Sequence, residues 1–122
     1  MKKLIVIIDD SELMLVMTSD VLTEAGYEVA AAINCIEANQ YIFGKQKPDL
    51  ILMDVMMPML QGDTTVQILK KTEFTSDIPV IYVSSKSPEE LAQMVAATGV
   101  EGYLCKPFSD EELLAKVRAI IG

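Results

Sequence analysis

Residues 48–63, PDLILMDVMMPMLQGD, decide how this chain is read. Leu50 to Met53 is an uninterrupted apolar run that stops at one acid, Asp54, before methionines and a proline. So short a run, apolar at every position, reads as a strand buried throughout. A carboxylate at the tip of such a strand is costly unless it is paired, metal-bound or held at a rim. Other polar residues are therefore expected to arrive at the same place.

Working outward, four more apolar runs recur: Leu4–Ile8, Tyr27–Ala32, Val80–Val83 and Gly102–Leu104. Between them lie segments of helical period, with Met14, Met17, Val21 and Ala25 in the first and Leu113, Leu114, Val117, Ile120 and Ile121 in the last. NCIE from Asn34 and SDEE from Ser109 each place a capping side chain three residues ahead of a glutamate. Gly26, Gly44 and Gly99 fall where helices end in left-handed geometry. The pattern is (βα)5, with no repeat, low-complexity tract or linker. It predicts an α/β fold, a doubly wound sandwich whose central five-stranded parallel sheet is covered by helices on both faces.

The chain of 122 residues suits a single domain, read as spanning 1–122. Its net charge of -8 argues against direct contact with nucleic acid, which is bound by clustered Lys and Arg, and favours a neutral or basic protein partner. Leu4–Ile8 is too short for a signal-peptide core or a membrane span, so a cytoplasmic protein is expected, with no membrane contact. Cys35 and Cys105 lack metal-ligand spacing, and there is no histidine to complete a zinc site. Both read as small buried apolar residues.

The polar residues can now be placed. The first run ends in Asp9 and Asp10, the third in Asp54, the fourth in Ser84 and Ser85, and the fifth is followed by Lys106 and Pro107. In an open parallel sheet those carboxyl ends share one rim, where ligands bind at the reversal of strand order. The flavodoxin-like order 2-1-3-4-5 makes the first and third strands neighbours and crowds three carboxylates into one crevice. A hard divalent cation relieves that repulsion, and Mg²⁺ suits a site of one or two carboxylates completed by substrate phosphate. Acids, a metal, one hydroxyl and one lysine fit phosphoryl transfer, with Asp54 best placed as the nucleophile.

With IIDDS at 7–11, DVMMPMLQG at 54–62, VSS at 83–85 and GYLCKPF at 102–108, essentially the whole chain resembles the CheY-like receiver domain of two-component response regulators. The resemblance implies that Asp54 accepts a phosphoryl group from a phosphohistidine of a histidine kinase or phosphotransfer protein. Asp10 and Asp54 would ligate Mg²⁺ directly, with the Met56 carbonyl as backbone ligand and Asp9 acting through water. Lys106 would pair with Asp54 at rest and with the phosphoryl group afterwards, and Pro107 would follow a cis peptide. Ser84 and Tyr103 match the family's switch pair, Ser84 standing where threonine is commoner. A downstream effector would read the fourth helix, fifth strand and fifth helix, about Pro88–Ala97 and Tyr103–Ile120, on a monomer or a phosphorylation-dependent homodimer. Such a chain is a signalling domain, not an enzyme beyond its own phosphorylation and slow dephosphorylation.

Other readings attach to single residues. Asp9 or Asp10 could cap the helix beginning at SELM, Lys106 could be a solvated lysine, and Tyr103 an edge-strand aromatic. Met53 and Met57 read as core filling, whereas Met59 and Leu60 read as apolar rim that meets a partner. Met56 and Lys86 flank the path of hydrolytic water; a thioether cannot orient water, so slow dephosphorylation is expected. An aspartate-nucleophile phosphatase would carry a second Asp where Met56 stands, and DDSEL would repel the phosphate of a flavin carrier. A scaffold that works without phosphorylation would be expected to lack part of the acid set or the lysine.

Overall fold

The computed structural model describes residues 2–55 and 75–122. In chain order the described elements are β1 (Leu4–Ile8), α1 (Glu12–Glu24), β2 (Glu28–Ala32), α2 (Cys35–Ile42), β3 (Leu50–Asp54), β4 (Val80–Ser84), α3 (Pro88–Thr98), β5 (Gly102–Cys105) and α4 (Asp110–Ile121). The helix expected between β3 and β4 falls outside the described residues. The strands form one parallel sheet in the order β2-β1-β3-β4-β5, as the alternating pattern predicts.

Strand alternation explains the two cores. Side chains of successive strand residues point to opposite faces, so Val6, Ile8, Ile51, Met53, Val80 and Tyr82 form one core with Cys35, Ala38 and Ile42 of α2 and Leu91 of α3. Ile5, Ile7, Leu50, Leu52, Ile81 and Val83 form the other, beneath Leu15 and Leu22 of α1 and Leu113 and Val117 of α4. Every residue of β1, β3 and β4 is buried. Each fully buried aliphatic side chain contributes about 1.5–3 kcal/mol, which makes these central strands the rigid base of the rim.

Helix starts follow their capping residues. Ser11, Asn34, Ser87 and Ser109 each accept a hydrogen bond from the third backbone N–H that follows, and Ser109 completes the reciprocal bond with Glu112. Two readings need correction. The buried stripe of α1 is Leu15, Thr18 and Leu22 rather than the Met14, Met17, Val21 and Ala25 series; Leu13 to Met17 is apolar on every side, so period alone could not choose the face. Gly26 and Gly99 have positive φ, but Gly44 does not. What requires glycine at 44 is space, since a Cβ there would lie 2.8 Å from the Gln40 carbonyl oxygen.

At the amino ends of the strands, the Lys3 ammonium donates to the carbonyl of Ile121 in the last turn of α4. That contact brings the two ends of the described chain together at the pole opposite the acids.

Candidate functional site

The site grows out of the same alternation. Ile5 and Ile7 of β1, Leu50 and Leu52 of β3, and Leu104 of β5 all face the α1/α4 layer. Asp9, Asp54 and Lys106 continue those three series at the carboxyl ends, so they emerge on one side of the sheet. Lys106 Nζ then bridges both acids, 2.8 Å from Asp9 Oδ2 and 3.1 Å from Asp54 Oδ2. Lys106 was expected to pair with Asp54; it does, but the shorter contact is to Asp9, at the end of β1, with β4 and β3 lying between that strand and β5.

Asp9 and Asp54 are only 4% and 5% exposed, whereas Asp10 is exposed. Asp9 is held from two directions, since its Oδ1 accepts the Ser11 N–H at 2.9 Å while Oδ2 takes Lys106. Neither Asp9 nor Asp10 is the helix cap; Ser11 fills that position, its Oγ accepting from the Met14 N–H at 3.3 Å. The pair of acids is thus available for another purpose. Burial, the largest single influence on Lys106, lowers its pKa, but the hydrogen bond to Asp9 and the charges of Asp54 and Asp9 outweigh it and hold the ammonium above the ordinary lysine value. Lys106 is therefore a permanent cation at neutral pH.

Asp9, Asp10 and Asp54 each offer an oxygen, and these atoms lie within 4.8 Å of one another. Hard carboxylate donors at that separation, with one partner exposed to solvent, fit a divalent cation such as Mg²⁺. The Met56 carbonyl assigned to the same ion falls outside the described residues, as do Met57, Met59 and Leu60.

Ser84 is fully buried at the end of β4. Its Oγ accepts the Lys86 N–H at 3.1 Å, and its carbonyl accepts the Lys106 N–H at 2.7 Å, which ties the lysine to the neighbouring strand. The Lys86 side chain leans toward α3, 3.6 Å from Glu90 one helical turn away, an interaction that the i, i+4 spacing would have revealed. The Lys106–Pro107 peptide is cis, as expected. Tyr103, half-buried on β5, lies beneath the ammonium of Lys116 of α4, 5.8 Å from the ring centroid; sequence reasoning missed that partner. Cys35 is buried, but Cys105 is only partly so.

Apolar surface adjoins the acids on another element. Leu13, Val16 and Met17 in the first half of α1 are 68%, 59% and 54% exposed. A groove of about 380 Å³ lies beside them between α1 and α4, lined by Met14, Met17, Val21, Lys106, Phe108 and Leu113.

Comparison with known proteins agrees with this geometry. The phosphate regulon transcriptional regulatory protein PhoB of Pseudomonas aeruginosa is 38% identical over 119 residues, covering 98% of this chain and 52% of PhoB. RpaA of Synechocystis, a DNA-binding dual master transcriptional regulator, is 38% identical over 117 residues, covering 96% of this chain and 48% of its own. The chain thus spans about half the length of the curated relatives it matches. Among solved structures, the chemotaxis response regulator CheY4 of Vibrio cholerae superposes with a TM-score of 0.89 at 30% identity, covering 98% of this chain and 99% of CheY4. A family model described as the response regulator receiver domain matches residues 5–118. A match over that span, on a sheet of this order with its acids at the carboxyl rim, makes the chain a member of the response regulator receiver domain family of two-component signalling.

Proposed function

We propose that the chain is a phosphorylation-dependent switch in which Asp54 takes a phosphoryl group from a phosphohistidine of a sensor kinase or phosphotransfer protein. A carboxylate oxygen of Asp54 bonds to phosphorus as the P–N bond breaks; the imidazole leaves with that electron pair and collects a proton from solvent. An acyl phosphate remains on Asp54. The observation that carries this reading is the position of Asp54 at the tip of a fully buried central strand, 3.1 Å from Lys106 and in one cluster with Asp9 and Asp10.

Each neighbour has a role. Asp10 and Asp54 are assigned as direct Mg²⁺ ligands, with Asp9 acting through water and the Met56 carbonyl added from outside the described residues. When bound, Mg²⁺ neutralises charge on the phosphoryl oxygens. Lys106 shifts its contact from the Asp54 carboxylate to the phosphoryl group. Ser84 turns its hydroxyl hydrogen to a phosphoryl oxygen, and Tyr103 swings inward, a two-state element biased by a local change of charge. The face formed by α3, β5 and α4 presents that change to a downstream protein or an attached domain. Lys86, drawn toward Glu90, flanks the path of hydrolytic water together with Met56, and the phosphoryl group is expected to be long-lived. Met59 and Leu60 are assigned to the surface that meets the phosphodonor protein.

Incubation with acetyl phosphate and Mg²⁺, followed by intact mass, tests the reading. A single phosphoryl adduct is expected, absent from Asp54→Ala and from a chelated sample. Failure of the wild type to acquire an adduct from either acetyl phosphate or a phosphohistidine protein overturns it.

A further inference from the structure

Tyr103 belongs to two layers at once. It stands on β5, an edge strand of the sheet, and packs against the core beneath α2 and α3. The cation over its ring comes from the opposite layer, because α4 is packed through Leu113 and Val117 into the other core. Lys116 is itself half-buried, so its stem is held against the protein and its ammonium is directed over the edge of the sheet. A protonated amine within about 6 Å of a ring centroid is attracted to the negative face of the ring. On the switch reading, the inward turn toward Ser84 takes the ring away from that amine.

We propose that Lys116 is a positioning residue for the switch: its ammonium holds the Tyr103 ring at the β5 edge in the resting protein and opposes the inward turn. The inference rests on the reading that Tyr103 moves when Asp54 is phosphorylated. A ligand or residue shifts a two-state equilibrium only by its differential interaction with the two states. Removing the charge while keeping the apolar stem therefore raises the ratio of inward to outward rings at rest by about two- to fivefold, the factor that an exposed cation–π contact corresponds to. Arginine at the same position preserves the effect, since a guanidinium also stacks on aromatic faces.

The test is ¹⁹F NMR of protein carrying 3-fluorotyrosine at its four tyrosines, with the Tyr103 signal assigned by its loss in Tyr103→Phe. Wild type, Lys116→Met, Lys116→Gln and Lys116→Arg are compared at rest and with Mg²⁺ and beryllofluoride, which mimics the phosphoryl group on a carboxylate. Beryllofluoride is expected to move the wild-type signal. The resting Met and Gln variants should both lie part-way along that displacement, and Arg should coincide with wild type. Resting Met and Gln spectra that superpose on wild type, or a shift in Met alone, overturn the role of the Lys116 charge while leaving the switch intact. A wild-type Tyr103 signal that beryllofluoride does not move overturns the switch reading itself, and this inference with it.

Discussion

At Lys106, one ammonium stands between two buried carboxylates, with a third acid, Asp10, at the mouth. The cluster holds a surplus of negative charge, and Lys106→Met would remove the ammonium that donates to both Asp9 and Asp54. Loss of the lysine should lower stability by about 1–3 kcal/mol, the usual consequence of removing one partner of a buried polar contact. Millimolar Mg²⁺ should return a large part of that loss, because a cation bound only by the folded state stabilises it. Thermal midpoints of the variant with Mg²⁺ and with chelator check this, and equal midpoints in the two conditions would count against a cation site among these acids. The members of the cluster were legible in the sequence because each ends or follows an apolar run. The contact between Lys106 and Asp9 was not, since a side chain that reaches past two strands leaves no trace in spacing. The same holds for Lys116 and Tyr103, which lie on elements of opposite layers.

At the scale of elements, the strands were legible because burial on both faces demands continuous apolar runs; β1 complies throughout, and β3 and β4 comply up to Asp54 and Ser84 at their tips. Helix faces were less so. Leu13 to Met17 offers apolar side chains all round α1, and only packing against β2 and α4 selects Leu15, Thr18 and Leu22. The start of α1 has a sharper determinant in Ser11. Its side chain satisfies the Met14 N–H while its own N–H is taken by Asp9, so one residue links the helix cap to the acid cluster. Ser11→Ala should cost about 1 kcal/mol in urea unfolding, whereas Ser11→Asp, which keeps an acceptor there, should cost less. Equal losses would show that the cap bond is not what the position contributes.

Seen whole, the molecule is electrically lopsided. Asp9, Asp10 and Asp54, the first-turn acids Glu12, Glu37, Glu89, Glu90, Asp110, Glu111 and Glu112, and only Lys86 and Lys106 among the bases occupy the carboxyl rim. The remaining described acids and bases balance, so the excess of acid among the described residues stands entirely at that rim. An anionic small donor is repelled there and a basic protein donor is drawn in. At saturating Mg²⁺, phosphorylation by acetyl phosphate should therefore speed up severalfold as salt rises from about 0.01 to 0.15 M, where the screening length falls from about 30 to 8 Å. A flat or falling rate would contradict this picture. The total charge was plain in the sequence, but its confinement to one end follows from every described strand pointing the same way, so that each described helix begins at the rim. Lys3 and Ile121 meet at the rear of the molecule, so sequence joined beyond either residue departs from the pole opposite the acids and leaves the mouth clear.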